Sequence, residues 1–300
     1  MRQSTDSVKN CPSTHCASHR PPEDLPYETW LRLMMDFFRK GGDIARKWQR
    51  QITPSHKADK TVVTEADLEI SALAHRVFGD LKDKNHLILD EETAIDVGAP
   101  TGELFRDHPF MWVIDPIDGS SAYAAQRASY GLSVGLIYEG RPVMGGVYMP
   151  ATDELFIYDG NTPLLMHRPF STHVHTEPLA MGTSLQGHVF FDVINKRPFK
   201  TYDLHQLPAD ITASNAFALG LAQTAAGRVC GTIFTASLWD MVGAWPLLDA
   251  VGAKLHNIKT GEALAQITPD LLDQNWGFKD AFIACNPAFF DPLRQGFVRR

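Results

Sequence analysis

The stretch Trp112-Val-Ile-Asp-Pro-Ile-Asp-Gly-Ser-Ser121 decides how the rest of the chain is arranged. Trp112, Val113 and Ile114 make a short apolar run with β-branched residues, the pattern of a buried strand, and Pro116 removes a backbone donor just after it. The strand is expected to stop there, with Asp115 at its end. Asp118-Gly119-Ser120-Ser121 then offers capping side chains and a permissive glycine ahead of Ala122, Tyr123, Ala124 and Ala125, which predicts a short helix. A strand end thus faces a helix N-terminus across one turn.

Two aspartates three residues apart across such a turn can aim their carboxylates into one crevice. At a separation of ~4 Å near a surface their repulsion is on the order of 4 kcal/mol, and a cation turns that cost into binding. The N–H groups of Gly119, Ser120 and Ser121 open the helix, where a phosphate is readily held. An ordinary Asp-Pro turn capped by Asp118 has the same local pattern. Acids elsewhere in the chain must decide between the two.

The whole chain of 300 residues is 44% hydrophobic and 21% charged, which describes a folded chain with room for one large domain or two subdomains. A formal charge of -7 argues against a nucleic-acid binder, since phosphate backbones are held by clustered Lys and Arg. An acidic protein that handles phosphate usually needs a metal. Cys11, Cys16, Cys230 and Cys285 are too few and too uneven for a disulfide framework, and a reducing compartment follows as the simpler expectation. There is no membrane-length apolar window and no signal-peptide core, so a cytoplasmic location is expected.

Residues 1–24 are rich in Ser, Thr, Pro, His and charge and are expected to form a tail; the Cys11, His15, Cys16 and His19 spacing there fits no standard zinc pattern. From Tyr27 apolar residues recur at helical spacing through Trp48, with Gly41-Gly42 as a candidate break. Thr64-Glu-Ala-Asp67 has the form of a capping box, predicting a helix to Val77 or Phe78 with Asp67 in its first turn. His86-Leu-Ile-Leu89 reads as a strand ending in Asp90-Glu91-Glu92. Apolar stretches between turn residues from Leu132 to Tyr158 predict a β-meander. Turn formers accumulate from Asp159 to Pro178, and we place a subdomain boundary near residue 170: 25–170 carrying most of the acids, 171–300 contributing the remainder. Ser214-Asn215 is expected to cap the apolar helix that follows, and Asp240 to head a second helix ending near Gly252.

Glu91 follows a strand, Asp115 ends one, and Asp118 and Asp240 each open a helix. Strand ends and helix starts are where open α/β proteins build sites. Asp115-Pro-Ile-Asp-Gly-Ser120 and Trp239-Asp-Met-Val-Gly-Ala244, with Glu91-Glu92 and Thr64-Glu-Ala-Asp67 upstream, resemble the inositol monophosphatase family of magnesium-dependent, lithium-sensitive phosphatases. The likeness covers roughly Trp30 to Leu264. It implies a layered αβαβα sandwich of the inositol monophosphatase/fructose-1,6-bisphosphatase type, an α+β or α/β fold, commonly as a homodimer. It also implies that Glu91, Asp115 and the Ile117 carbonyl hold one Mg²⁺, and that Asp115, Asp118 and Asp240 hold a second. A third Mg²⁺ would stand beside Glu91. Oxygen-only ligation suits that metal. Ser120 stands where the family usually has Thr, and with Asp67 it would orient and deprotonate the attacking water, while the amides of Gly119, Ser120 and Ser121 cradle the phosphate. Glu91, Asp67 and Ser120 are thus the catalytic candidates, and Ser214 and Asn215, in the region lining the sugar site, the substrate-binding ones.

The departures concern substrate. Ser214-Asn215-Ala216 replaces the family's Gly-Ser or Gly-Thr pair, Ala122 replaces an Asn, and no Asp or Glu lies between Gly227 and Trp239, where an acid usually binds substrate hydroxyls. The implied activity is hydrolysis of a small phosphate monoester, with no nucleic-acid or membrane partner. The alternatives are fructose-1,6-bisphosphatase, 3′,5′-bisphosphate nucleotidase or histidinol-phosphate phosphatase activity on the same site, or a non-catalytic phosphometabolite-binding protein. No Walker loop, Gly-x-Ser-x-Gly elbow or His-Glu-x-x-His occurs to support another hydrolase chemistry.

Overall fold

Alternation along the strand that carries the two aspartates sorts its side chains into two cores. Met111 and Val113 face one and Trp112 and Ile114 the other, so this strand is buried on both sides. The computed structural model describes residues 25–51, 55–56, 62–186, 189–194 and 197–300. The expected tail of residues 1–24, with Cys11, His15, Cys16 and His19, lies outside the described residues.

A seven-stranded sheet runs β1 (His86–Asp90), β2 (Phe110–Asp118), β3 (Gly131–Tyr138), β4 (Arg141–Met149), β5 (Glu154–Tyr158), β6 (Pro163–His167) and β7 (His175–Pro178) in spatial as in chain order. Only β1 and β2 are parallel; the rest form the expected meander, which extends past residue 170 to Pro178. A five-stranded mixed sheet is ordered β9 (Asp210–Thr212), β8 (Phe190–Val193), β10 (Gly231–Phe234), β12 (Phe282–Cys285) and β11 (Lys254–Asn257).

Helices fill the layers around these sheets. On the outer face of the first sheet lie α1 (Tyr27–Gln49) and α2 (Glu65–Phe78), burying Met34, Phe37, Phe38, Ile70 and Phe78 against Trp112, Ile114, Leu132 and Tyr148. The short α3 (Ser120–Ala124) follows β2. Between the sheets lie α4 (Phe217–Ala225), α5 (Leu238–Val242) and α6 (Trp245–Ala250), whose Leu221, Met241 and Leu247 meet Val113 and Phe156 on one side and Phe234 and Phe282 on the other. On the far face of the second sheet, α7 (Pro287–Gln295) packs Phe289, Phe290 and Leu293 against Phe191, Ile233 and Ile283. The layers are therefore helix, sheet, helix, sheet, helix, an α+β sandwich.

Three local expectations are corrected. Gly41-Gly42 does not break α1: a Cβ would lie 2.4 Å from Leu132 at Gly41 and 2.4 Å from Tyr148 at Gly42, so the pair lets the helix press onto the sheet. The helix headed by Asp240 does not run unbroken to Gly252 but divides into α5 and α6 around Gly243, whose Cβ would lie 2.3 Å from Ser133 Oγ. Gly135 and Gly145 open matching space for Val242 and Gly243, which lets α5 rest directly on β3 and β4. Finally, β2 does not stop at Pro116. It continues to Asp118 with a register shift, Asp115 opposite Ser133 and Asp118 opposite Gly131.

Candidate active site

That irregularity decides where the aspartates point. Residues three apart on a regular strand face opposite sides, whereas three residues against two on the partner form a bulge that returns the second side chain to the face of the first. Asp115 and Asp118 consequently share a crevice, and both are 1% exposed. Asp240 joins them from α5, where Ser237 and Asp240 form a capping box and the Ser237 amide donates to Asp240 Oδ2 at 2.7 Å. Asp115, Asp118 and Asp240 each place an oxygen within 4.8 Å of the others.

Glu91 follows the end of β1, and its amide donates to the Ile114 carbonyl at 3.2 Å, which sets it beside the same crevice. Asp90, fully buried, fixes that strand end by accepting from Ser71 Oγ at 2.8 Å and from the Glu92 amide at 2.9 Å, and by pairing with His75 Nε2 at 2.7 Å. Asp67 forms the expected capping box of α2: its Oδ2 accepts from the Thr64 amide at 2.8 Å and the Thr64 hydroxyl at 2.6 Å. Its other oxygen lies 3.4 Å from Ser120 Oγ, which donates to the Ile117 carbonyl at 2.9 Å. That carbonyl keeps a second lone pair for another partner. Gly119, with φ of 86°, opens α3 and carries the amides of Ser120 and Ser121 into its first turn.

The helix α4 is capped differently from expectation. Its N-cap residue is Ala216, with no side-chain cap; instead Asp118 Oδ1 accepts from the Phe217 amide at 2.7 Å and Asp118 Oδ2 from the Leu219 amide at 3.1 Å. Of the two residues expected to meet substrate, Ser214 is buried with its hydroxyl on Asp192 at 2.8 Å, and Asn215 is exposed with φ of 60°. The partnership between Asp118 and the α4 amides left no local signal in the sequence, because it joins residues 99 and 101 apart.

Burial and neighbouring like charges leave their mark on the acids. Burial, and after it the charges of Glu91, Asp118, Asp240 and Asp67, push the Asp115 carboxyl well above the usual range. Burial and then Asp118 and Glu91 do the same to Asp240. Asp118 is pushed by burial to about 7 against the opposing pull of the Leu219, Phe217 and Ala218 amides. Asp115 Oδ1 is buried with no hydrogen-bond partner. An all-oxygen, multiply anionic donor set with an open buried oxygen fits a hard divalent cation such as Mg²⁺.

This crevice lies at the strand ends and helix starts of an αβαβα sandwich, where its carboxylates can hold a metal. Comparison identifies the family: the model of the inositol monophosphatase family matches residues 28–285, and the chain belongs to it. The inositol-1-monophosphatase of Synechocystis is 27% identical over 259 residues, covering 81% of this chain and 86% of that protein. The fold is also that of the inositol monophosphatase from Anabaena, at TM-score 0.65 and 23% identity over 90% of this chain and 95% of that one. A staphylococcal inositol monophosphatase-1 in a lithium-soaked inhibitory complex superposes at TM-score 0.69 and 17% identity, covering 91% and 96%. Members of the family are phosphatases, and this chain is a phosphoric monoester hydrolase of that kind. Among the described residues no helix is long and apolar enough to cross a membrane.

Proposed function

We propose that this phosphatase is Mg²⁺-dependent and hydrolyses a small phosphorylated metabolite by direct attack of water on phosphorus. The observation that carries the proposal is the open, buried Asp115 Oδ1 amid Asp118 and Asp240. Asp115, Asp118 and Asp240, with Glu91 and the Ile117 carbonyl, would hold two Mg²⁺ ions, and Glu91 would take part in holding a third. When bound, Mg²⁺ supplies Lewis-acid chemistry, drawing charge from the phosphoryl oxygens and the leaving group. The protein does the positioning. Ser120 Oγ, between the Ile117 carbonyl and Asp67, orients the attacking water, and Asp67 takes up its proton. The amides of Gly119, Ser120 and Ser121 hold the phosphoryl oxygens.

Substrate choice falls to the start of α4 and the approach to α5. The Synechocystis relative is named for inositol 1-phosphate, which makes that ester the reference substrate. The stretch from Gly227 to Trp239 offers no carboxylate to pair with polyol hydroxyls, and a hydroxyl that loses water without an equivalent partner weakens binding. We therefore assign this chain an ester with a second recognition group, such as a base, an amine or a second phosphate, that reaches beyond this stretch towards Asn215. A cytoplasmic homodimer completes the proposal.

The test is a phosphate-release screen with Mg²⁺ over inositol 1-phosphate, a sugar bisphosphate, a nucleoside 3′,5′-bisphosphate and an amino-alcohol phosphate. The ratio of kcat/KM for inositol 1-phosphate to that of the best alternative is expected below one. A ratio at or above one restores plain inositol monophosphatase activity, and no release from any ester with Mg²⁺ supports a phosphometabolite-binding protein instead.

A further inference from the structure

A fifth buried aspartate, after Asp67, Asp90, Asp115 and Asp118, lies in the second sheet, away from the crevice. Asp192, on β8, is 0% exposed, and its described hydrogen bonds both come from one residue: the Ser214 amide to Oδ1 at 2.9 Å and the Ser214 hydroxyl to Oδ2 at 2.8 Å. Space for the carboxylate is made by α4 itself, since a Cβ on Gly220 would lie 2.2 Å from Asp192 Oδ2. The Gly220 carbonyl is held in turn by the hydroxyls of Thr224 and Thr232, each at 3.0 Å. A charge buried on this scale is costly unless hydrogen bonds satisfy it, and here Ser214 supplies both.

What it holds is the approach to the site. Ser214 leads into Asn215, whose backbone turns through the left-handed region, and Ala216, the N-cap of α4. These two residues rest on the crevice motif: a Cβ on Gly119 would meet Ala216 Cβ at 2.9 Å and the Asn215 carbonyl at 3.2 Å. The next amides, of Phe217 and Leu219, are those on which both oxygens of Asp118 are seated. A continuous set of contacts thus runs from Asp192 through Ser214 and the start of α4 to Asp118.

We propose that Asp192 is a positioning residue of the metal site: through Ser214 it fixes the start of α4, and with it the carboxylate of Asp118. This rests on the Mg²⁺ assignment made above. Partners outside the ligand shell commonly set metal affinity by a factor of 10 to 100, so Asp192→Ala should weaken Mg²⁺ binding about tenfold. Asp192→Asn keeps an acceptor for the Ser214 amide and a donor for its hydroxyl, which can turn to the Ala216 carbonyl 3.0 Å away, so it should restore affinity.

The experiment is calorimetric titration of the full-length protein with Mg²⁺, without substrate, for wild type, D192A, D192N and Ser214→Ala, with thermal melting of each in EDTA. The expected result is binding weakened about tenfold in D192A, weakened in the same direction in S214A, and within about threefold of wild type in D192N. Should D192A fail to fold, S214A, which leaves the amide bond to Asp192 in place, decides the matter. Mg²⁺ affinity equal to wild type in a folded D192A or in S214A, with only the melting temperature lowered, overturns the inference and leaves Asp192 a purely structural group. Absence of Mg²⁺ binding by the wild type contradicts the metal assignment itself, and the inference falls with it.

Discussion

The carboxylate of Asp118 accepts the amide of Phe217 at 2.7 Å, so a residue of the first sheet caps a helix of the middle layer while facing Asp115 and Asp240. One side chain thus serves helix and crevice at once. The two roles respond differently to substitution. Asp118→Asn keeps an oxygen for one α4 amide but removes a charge from a buried anionic cluster. Phosphate release is expected to fall at least a hundredfold, whereas in EDTA the melting temperature should hold or rise, because like-charge repulsion is relieved. A clear fall in melting temperature in EDTA would show that capping outweighs repulsion.

Asp67 stands outside the group of three and meets Ser120 Oγ at 3.4 Å. Asp67→Asn retains an acceptor for the Thr64 amide, so α2 keeps its cap, but the group loses its capacity as a base. We expect kcat to fall at least tenfold with Mg²⁺ affinity changed by less than about threefold. Parallel loss of Mg²⁺ binding would make Asp67 part of the metal site rather than the acceptor of a proton.

Two glycines of similar backbone geometry but different surroundings make a matched pair. Gly42→Ala places a methyl against the Tyr148 ring and should destabilise by about 1–3 kcal/mol despite the better helix propensity of alanine. Gly79, with φ of -59° and nothing within 4 Å of an added Cβ, should accept alanine neutrally or with a gain of about 0.4–1 kcal/mol. Urea midpoints decide it. Equal midpoints for the two variants would contradict the close helix-to-sheet contact at Tyr148.

The pair Glu154 and Arg228 joins β5 to the residues after α4 through two bonds, at 2.7 and 3.2 Å. Burial raises the Glu154 pKa, but Arg228 outweighs it and holds the carboxyl below its ordinary value, with His167 adding to the pull. A depressed folded-state pKa gives stability that is present above the unfolded value and lost as pH falls through the folded one. Arg228→Gln should therefore cost under about 1 kcal/mol at neutral pH, since the pair is partly exposed. Its melting temperature should converge on that of the wild type in acid. A difference that widens below the carboxylate range would refute the sign.

The parts of this site that lie within a few residues of one another were legible in the chain. Thr64-x-x-Asp67, the strand before Asp115, the helix start at Ser120 and the acid heading α5 all have local causes, caps and apolar runs, and appear where expected. The family likeness joined them into one crevice. What escaped depends on distant partners. Pro116 looked like a strand end because its missing donor is visible in sequence, whereas the bulge that carries β2 on to Asp118 is set by Gly131 and Ser133 on β3. Gly41-Gly42 has the local form of a helix break, whereas the Leu132 and Tyr148 side chains that require the pair lie far along the chain. Ser214 looked like a helix cap or a substrate contact, and only packing of the second sheet shows its hydroxyl on Asp192.

We propose that Asp115, Asp118 and Asp240 form the Mg²⁺ site of this phosphatase. The most direct test is phosphate release from the best ester of the screen, measured through one cycle of EDTA treatment and Mg²⁺ restoration, with Asp115→Asn alongside. Release that EDTA abolishes and Mg²⁺ restores is expected in the wild type, and none in the variant at any Mg²⁺ concentration. Release that survives EDTA, or an Asp115→Asn protein that turns over like the wild type, would contradict the proposal.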